Sequence, residues 1–358
     1  MKPSLIRFLA FAAVMGSVTF MPIYARELGI LDSEIGVIVA FYSLALFLSS
    51  FIFGRWSDRF GRRLFLMVGL ALASVAFFLQ VFAQDFWSLL MIRVLVGFSM
   101  GIFPAALIAH VHESGKDLSK FSAFGALGWA LGLLIAGPVA DNLTIRGVFL
   151  LNAVFLLLAV LVASRIKFGD KTPLKLPRFP TKIIRKNLSL YLAILIRHSG
   201  AHMIWTFWPL FLQSLGASLL WVGVIQAVNA GTQFVFMYVF SGKVKYVAST
   251  ALGLLLSSVT FFCFTFASDF WQIIPIQIIL GVSWALLYVG GLRFLMDRNV
   301  EKATVSGMFD SVLSLSSILG PFLAAFVIII DGYGSIMYVA SFLAFISFLL
   351  FWVSEKAK

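Results

Sequence analysis

The sequence predicts an all-α membrane protein whose twelve transmembrane helices form two six-helix bundles related by a parallel internal repeat. Three observations support this fold class: the composition, the spacing of apolar runs, and a set of repeated short motifs. Hydrophobic residues make up 61% of the 358 residues and charged residues only 12%. Soluble globular chains are about half apolar and about a quarter charged. Most of this chain is therefore expected to lie in lipid.

Apolar runs long enough to cross a bilayer occur twelve times, because a transmembrane helix needs about 20 mostly apolar residues. The predicted spans, numbered 1 to 12, cover residues 4–25, 34–53, 64–83, 87–110, 121–141, 145–165, 188–213, 219–240, 247–267, 270–292, 304–330 and 335–353. We interpret the first run as a span and not as a removed signal peptide, because no convincing small-residue cleavage site follows it.

Basic residues predict the orientation of these spans. With the N-terminus in the cytoplasm, all but four of the 27 Lys and Arg residues lie at the cytoplasmic face; the exceptions are Arg26 and Arg146 outside and Arg93 and Arg197 within spans. Because Lys and Arg accumulate in cytoplasmic loops, we expect a multi-pass protein of the plasma membrane with both termini in the cytoplasm. The net charge of +12 then suits the anionic headgroups of the inner leaflet and not nucleic acid.

The two halves of the chain carry matching motifs at offsets of 183–187 residues. The pairs are Phe20-Met21-Pro22 with Phe207-Trp208-Pro209, Leu28-Gly29 with Leu215-Gly216, Asp85-Phe86-Trp87 with Asp269-Phe270-Trp271, and Gly137-Pro138 with Gly320-Pro321. A basic stretch with three prolines separates the halves. We therefore predict an N-terminal bundle of residues 1–165, a cytoplasmic linker of residues 166–187, and a C-terminal bundle of residues 188–358.

The ten residues 54–63 are the most informative segment. They are predicted to form a short loop between spans 2 and 3, since a segment with two glycines, one carboxylate and four arginines cannot lie in hydrocarbon. A plain topogenic arginine loop would need neither the glycines nor the carboxylate. The spacing resembles the helix 2–3 loop signature of the major facilitator superfamily, a class of secondary transporters. The matching residues are Gly54, Asp58, Arg59, Gly61, Arg62 and Arg63.

This resemblance, which covers essentially the whole chain, implies gating roles. In the family the matching aspartate docks against the cytoplasmic N-terminus of the eleventh helix when the inner side is shut. Here that terminus lies near residues 304–307. The arginines are expected to pair with Asp58 or with an acidic residue at the end of span 4, where the matching position is either His110 or Glu113. Family members bind substrate near the bilayer midplane, between the two repeats.

Span 4 contains Arg93, with Gly97 and Gly101 on the same helical face. The glycines permit close packing of helices. A buried arginine is costly and usually faces a cavity or a partner. The pattern resembles the span-4 motif of the superfamily, whose arginine is linked to proton coupling or to anionic substrates. The alternative is an arginine held by backbone carbonyls.

Span 7 carries Arg197, His198 and His202, with the two histidines one turn apart. Histidine titrates near neutral pH, so either ring can relay protons, although membrane histidines more often form hydrogen bonds between helices. No third ligand accompanies the pair, and we expect no metal site. The only cysteine, Cys263, is interpreted as a buried apolar thiol.

Asp310 is the one carboxylate placed deep in a span, where ionisation is costly. It is a candidate proton carrier, and the alternative is simple pairing with Arg197 or Arg293. On span 8, Gln226, Asn229 and the neighbouring Gln233 share a face, and they either line a cavity or bond adjacent helices.

Span 5 resembles the glycine-rich motif of the drug:proton antiporter branch of the superfamily. The residues with predicted helix-packing roles there are Gly128, Gly132, Gly137 and Pro138. The paired glycines of that motif are absent after Pro138, and span 1 lacks the membrane carboxylate that many such exporters use.

The sequence therefore predicts a secondary transporter that moves a small organic molecule by alternating access, with proton-coupled efflux of amphipathic compounds as the favoured reaction. An organic-anion or other solute carrier of the same fold is the alternative, suggested by Arg93 and Arg197. From other classes, a sensor that does not transport and a polytopic membrane enzyme remain. The sequence contains no catalytic constellation, so we predict no enzyme activity and no cofactor, and we expect a monomer.

Overall fold

The computed structural model describes residues 1–168, 180–217, 219–239 and 245–356. Within these ranges the chain is helical apart from short turns, and it contains no strand. The helices are α1 (Lys2–Glu27), α2 (Asp32–Phe60), α3 (Arg62–Leu79), α4 (Phe86–Ile102), α5 (Pro104–Glu113), α6 (Leu118–Asn142), α7 (Ile145–Ser164), α8 (Thr181–Lys186), α9 (Leu188–Ser214), α10 (Leu219–Val239), α11 (Tyr246–Cys263), α12 (Ile273–Arg298) and α13 (Lys302–Lys356).

The predicted spans coincide with these helices. Eleven helical segments of the described chain are long and apolar enough to cross a membrane. The twelfth predicted span, residues 188–213, falls on α9. With 27 residues, α9 reaches about 40 Å, which exceeds the roughly 30 Å thickness of the hydrocarbon core.

Two boundaries differ from the predictions. Span 4 is divided into α4 and α5 at Pro104, because proline has no N–H to continue the helical hydrogen bonds. The last two predicted spans lie in one helix, α13, whose 55 residues would extend about 80 Å if straight. Gly332, with a φ of +58°, interrupts α13, and the segments Lys302–Ile328 and Gly332–Lys356 each have the length and composition of a span.

The predicted linker, residues 166–187, contains the short helix α8, which the sequence analysis did not foresee. Residues 169–179 of the linker lie outside the described residues.

The chain divides into two compact units. Unit 1 comprises Met1–Phe179 and Asn299–Ser311, and unit 2 comprises Pro180–Arg298 and Val312–Lys358. In unit 1, α1 packs against α6 and α7, α2 against α4, and α3 against α4 and α7. In unit 2, α12 packs against both α10 and α11, and aromatic side chains such as Trp208, Phe261 and Phe264 fill the core.

Glycines determine how closely the helices of unit 1 approach. A Cβ at Gly97 would overlap the backbone of Tyr42, and one at Gly101 would lie 2.7 Å from the backbone nitrogen of Ser50, so α4 and α2 touch directly there. On α6, Gly128 and Gly132 face the α1 backbone in the same way. A Cβ at Gly132 would lie 2.5 Å from Cα of Ala12.

Gly137 and Pro138 are not close-packing positions, contrary to the prediction for span 5. A Cβ at Gly137 would meet nothing within 4 Å, and the side chain of Pro138 is exposed within α6. The helix period explains the error, because the Gly128 and Gly132 face of α6 points to α1 and Gly137 lies five residues beyond it.

The internal repeat is visible in the hydrogen bonds of each unit. After α1, the N–H of Gly29 donates to Arg26 O and the N–H of Ile30 donates to Ala25 O. After α9, the N–H of Gly216 donates to Gln213 O and the N–H of Ala217 donates to Leu212 O. Both glycines have a positive φ, +75° and +84°, the left-handed conformation that ends helices.

Both units also begin a long helix after an aspartate. Asp85 caps α4 by accepting a 2.8 Å hydrogen bond from the N–H of Ser88, and hydrogen bonds from Ser88 lower the pKa of Asp85 below its usual value. Asp269 accepts a 2.9 Å bond from the N–H of Trp271 in the short 3₁₀ turn before α12. The repeat in sequence is therefore a repeat in local structure.

Gly128→Ala should lower the free energy of unfolding by about 1–3 kcal/mol, because its methyl group has no space against the backbone of Phe8. The shift in the thermal unfolding midpoint, measured by circular dichroism in detergent, checks this. Gly231→Ala on α10 is the matched control, since a Cβ at Gly231 would meet nothing within 4 Å. Equal losses in the two variants would contradict the packing interpretation.

Candidate functional site

The segment 54–63 is not the predicted ten-residue loop. α2 continues through Gly54 to Phe60, and α3 begins at Arg62, so only Gly61 separates the two helices. Gly61 has a φ of +98°, which a residue with a Cβ adopts only with strain. The charged residues exclude this segment from hydrocarbon, but they do not prevent helix formation, since a helix satisfies its own backbone on either side of the interface.

Asp58 binds the start of α13. Its side chain accepts hydrogen bonds from the N–H of Ala303 (3.2 Å), the N–H of Thr304 (2.6 Å) and the hydroxyl of Thr304 (2.6 Å). Asp58 is only 5% exposed. The first N–H groups of a helix have no partner within the helix and carry partial positive charge, so a carboxylate there is favoured. The structure thus brings Asp58 to Thr304, within the segment that the resemblance indicated.

Glycines bring α2 and α13 close enough for this contact. A Cβ at Gly54 would lie 2.7 Å from the carbonyl oxygen of Ala303 and 2.8 Å from Cα of Gly307. About two turns earlier on α2, the carbonyl oxygen of Phe47 accepts a 3.0 Å hydrogen bond from the hydroxyl of Ser311. Sequence analysis found Gly54 through the motif but missed Gly307, which nothing distinguishes from other glycines within spans.

Arg62 joins Asp58 to the end of α5. Nη1 of Arg62 lies 2.8 Å from Asp58 Oδ1, an electrostatic contact without aligned hydrogen-bond geometry. Nε and Nη2 donate to the two carboxylate oxygens of Glu113 at 3.0 and 2.6 Å. Glu113, and not His110, is therefore the acidic partner whose position the sequence left open. Among the described residues Arg59 and Arg63 form no ion pair, and both are exposed.

Arg93 lies in a buried polar cluster of unit 1. Its side chain is 2% exposed, and Nη1 donates to Ser17 Oγ (2.9 Å) and Gln80 Oε1 (3.2 Å). The guanidinium carbon lies 4.4 Å from the centre of the Tyr42 ring. Within the described ranges no carboxylate pairs with Arg93. Its charge is therefore held by neutral side chains and a ring, and not by backbone carbonyls as the alternative proposed.

Arg197 and the two histidines of α9 form a second cluster, in unit 2. Arg197 is 3% exposed, its Nε donates to Ser257 Oγ at 2.8 Å, and its Nη1 lies 3.2 Å from His198 Nδ1. His198 stacks on Trp284 with ring centres 5.0 Å apart, and the His202 ring meets it edge-on at 4.8 Å. Ser257 and Trp284, on α11 and α12, carried no sequence signal that linked them to span 7.

The polar face of α10 makes contacts with α12. Nδ2 of Asn229 donates to Gln277 O at 3.1 Å and to Gln277 Oε1 at 2.8 Å, and Gln233 donates to Asn229 Oδ1 at 2.7 Å. Of the two alternatives for this face, Asn229 thus bonds an adjacent helix, and Gln233 bonds Asn229 within α10. Gln226, half-buried, has no hydrogen bond to any described residue.

Asp310 lies near the start of α13, half-buried, and Arg7 on α1 acts on it electrostatically. Arg7 is itself only 7% exposed, with its guanidinium carbon 4.1 Å from the centre of the Phe11 ring. The sequence analysis had proposed Arg197 or Arg293 as the cation. Arg197 makes no ion pair with any described residue. Arg7 was missed because it was counted with the cytoplasmic flank, although it lies within the apolar run 4–25.

Comparisons with known proteins agree with this geometry. The family model of the Major Facilitator Superfamily matches residues 4–247. The multidrug resistance protein MdtG of Proteus mirabilis (strain HI4320) is 26% identical over 98% of this chain and 94% of its own length. The quinolone resistance protein NorA of Staphylococcus aureus (strain COL) is 24% identical, and the match covers 88% of this chain and 86% of the length of NorA.

A third relative, the class B tetracycline resistance protein of Escherichia coli, is 27% identical over 82% of this chain and 78% of its own length. Among solved structures, the human organic anion transporter MFSD10 (TETRAN) superposes with a TM-score of 0.76 over 98% of both chains, at 18% identity. This likeness shows a shared fold. The chain belongs to the major facilitator superfamily of multi-pass membrane transporters.

Proposed function

We propose that this protein is a secondary transporter that exports small amphipathic organic compounds by alternating access, in exchange for protons. The names of three relatives that span most of the chain, for multidrug, quinolone and tetracycline resistance, support export of organic compounds. We further propose that residues 1–165 and 188–358 act as the two functional halves.

The observation that carries the proposal is the contact between Asp58 and the start of α13. Asp58 precedes the central linker in sequence and Thr304 follows it, so the contact ties together residues of the two repeats. A carboxylate at a helix N-terminus contributes about 0.3–2 kcal/mol. A contact of that strength is strong enough to hold a closed state and weak enough to break in every transport cycle.

The contacts around Asp58 suit a latch, meaning a contact that holds the closed state and breaks when the protein opens. Gly54 and Gly307 permit the backbone contact, and Arg62 holds Asp58 while Glu113 holds Arg62. The set Gly54, Asp58, Arg62 and Glu113 thus acts as one gating unit. Gly61 provides the turn that places Arg62 beside Asp58, and Arg59 and Arg63 face anionic lipid headgroups.

The charge distribution supports insertion in the plasma membrane with both termini in the cytoplasm. In this orientation the Asp58 latch closes the cytoplasmic side, and its opening admits a compound from the cytoplasm. The protein is proposed to act as a monomer.

Asp310 is the proposed proton carrier. It is buried close to Arg7 on the helix that starts at the latch, and a carboxylate in such a site binds and releases protons when the nearby charge moves. His198 is the weaker candidate. Arginine only donates, so His198 Nδ1 accepts the hydrogen bond from Arg197 and carries no proton. Protonation there would break that bond and place two cations side by side.

The experiment that tests the function uses the purified protein in proteoliposomes with an imposed pH gradient and a panel of anionic, neutral and cationic amphipathic compounds. At least one compound should accumulate in vesicles with an acidic interior and should not accumulate when the gradient is collapsed. Equal distribution of every compound with and without the gradient would reject proton-coupled export.

Asp58→Asn should shift the protein toward the state open to the cytoplasm and slow transport, because the amide keeps the shape of the side chain and loses the charge that the α13 terminus favours. Solvent accessibility of single cysteines near Thr304 reports the shift. Asp85→Asn is the matched control, since Asp85 is exposed and Asn caps helices as well as Asp does. Unchanged accessibility and transport in Asp58→Asn would eliminate the latch.

Asp310→Asn should abolish accumulation driven by the pH gradient while compound exchange down a concentration gradient persists, because an amide keeps hydrogen bonds without titrating. The variant with both His198→Gln and His202→Gln should keep its response to the gradient when a neutral compound is transported. If Asp310→Asn accumulates compound normally and the histidine variant does not, the proton site lies on α9. If both accumulate normally, none of the three residues carries the proton.

A further inference from the structure

Arg197 carries a buried positive charge that no acidic residue in the described chain neutralises. Its hydrogen-bond partners are Ser257 Oγ and His198 Nδ1, both uncharged. Ser257 is itself anchored, 2.7 Å from Ser283 Oγ and 2.9 Å from Gly253 O. These contacts orient the guanidinium without cancelling its charge. A buried charge is costly unless a counter-charge joins it, so the cluster is electrostatically incomplete.

Arg62 shows what a complete arrangement looks like in the same protein. It lies 2.8 Å from the carboxylate of Asp58 and donates to both oxygens of Glu113. Arg93 also lacks a carboxylate in the described ranges, but its hydrogen-bond partners Ser17 and Gln80 are fully buried. Around Arg197 three bordering side chains, His198, His202 and Trp284, are still partly accessible, whereas around Arg93 the partly accessible neighbour is the ring of Tyr42.

The donors left at this cluster suit a carboxylate. A guanidinium has five N–H groups in a planar fork that matches a carboxylate, and the described contacts of Arg197 use one on Nε and one on Nη1. Because His198 Nδ1 accepts from Arg197, the proton of the neutral ring is on Nε2, which makes this atom a second donor. In the described chain, neither the ring nitrogens of His202 nor the indole N–H of Trp284 has a hydrogen-bond partner.

The side chains around Arg197 suit a ligand with an aromatic ring. The guanidinium carbon of Arg197 lies 5.3 Å from the Trp284 ring centre and 5.2 Å from that of Phe261. His198 and Trp284 stack, and Tyr288 continues the row 5.4 Å from Trp284. One cation among uncharged donors favours a ligand with a single negative charge. The aromatic rings favour a ligand whose apolar part covers them.

We propose that Arg197, His198, His202 and Trp284 form a binding site for an aromatic monocarboxylate, with the carboxylate on Arg197 and the ring against Trp284 and the histidines. This inference rests on the proposed transport function and names the class of compound that the transporter takes. It also predicts exclusion of cationic compounds from this site, because Arg197 repels them.

Isothermal titration calorimetry on the full-length protein in phosphatidylcholine nanodiscs tests the site with three probes of one shape. These are 2-naphthoate, neutral 2-naphthamide and 2-naphthylmethylammonium, all near pH 7. Naphthoate should bind at least about tenfold more tightly than the other two, since hydrogen bonds between charged groups are the strong ones. Equal affinity for naphthoate and naphthamide would overturn the proposal.

Variants locate the binding. Arg197→Gln should weaken naphthoate at least about tenfold and leave naphthamide within about twofold, whereas Trp284→Leu should weaken both. Arg185→Gln, at an exposed position of α8, removes the same charge elsewhere and should change neither. A naphthoate preference that survives Arg197→Gln would place the anion elsewhere and reject the site.

Ser257→Ala provides a second test if Arg197→Gln does not fold. It frees the guanidinium from its Nε anchor and should weaken naphthoate severalfold while naphthamide binding is unchanged; equal binding of naphthoate to this variant and the parent protein contradicts the proposal. The transport assay separates the two ideas. Gradient-driven accumulation of other compounds without naphthoate binding refutes the carboxylate site alone, and naphthoate binding without any accumulation refutes the transport function alone.

Discussion

The cost of an unsatisfied polar or charged group in hydrocarbon is the constraint on which the rest of this structure depends. It requires helices throughout the spans, because only a helix satisfies its own backbone in lipid. It also favours a hydrogen-bond partner for each polar side chain within the bundles. The apolar composition of the chain follows from the same requirement. So does the small number of polar positions within the spans.

Three of the four buried arginines of the described chain show how this constraint is met. Arg62 has full counter-charges in Asp58 and Glu113. Arg93 has neutral acceptors, Ser17 and Gln80, and the face of Tyr42. Arg197 has a hydroxyl, an imidazole nitrogen and two aromatic rings. Arg62 is neutralised by its ion pairs, whereas Arg93 and Arg197 have only neutral partners, so a bound anion would gain more at either of those two sites than at Arg62.

The sequence was sufficient for the features that depend on local pattern. Apolar runs located the spans. The repeated Leu-Gly motifs end helices with the same hydrogen bonds in both units, and in both Asp-Phe-Trp motifs the aspartate accepts a backbone N–H at a helix start. The sequence was misleading where the local pattern and the tertiary contacts of a residue differ. The charges of Gly54–Arg63 suggested a loop, yet the backbone stays helical to Phe60, and Gly137 looked like its neighbours on α6 but faces open space.

The partners of the site residues could not be derived from local pattern, because they join distant parts of the chain; the family resemblance indicated residues 304–307 for Asp58 and left His110 or Glu113 for the arginines. Glu113 is 51 residues from Arg62, Thr304 is 246 residues from Asp58, and Arg7 acts on Asp310 from the other end of the sequence. Such pairs are set by which helix faces meet, and a single sequence shows only which residues lie on one face. The motif resemblance supplied the Asp58 contact, whereas nothing supplied Arg7 or Gly307.

In the mechanism that we propose, the start of α13 links gating to proton binding. Asp58 holds Ala303 and Thr304, and Asp310 lies six residues further along the same helix, which is about 9 Å. A helix of this length moves as a rigid element over two turns. Any displacement that withdraws Thr304 from Asp58 therefore also changes the distance between Asp310 and Arg7, and with it the field at the carboxylate. Conversely, loss of the negative charge of Asp310 removes its attraction to Arg7, which tends to hold this helix in place. The proposed latch and the proposed proton site lie within two turns of one helix, so in this mechanism a change at one site directly alters the contacts of the other.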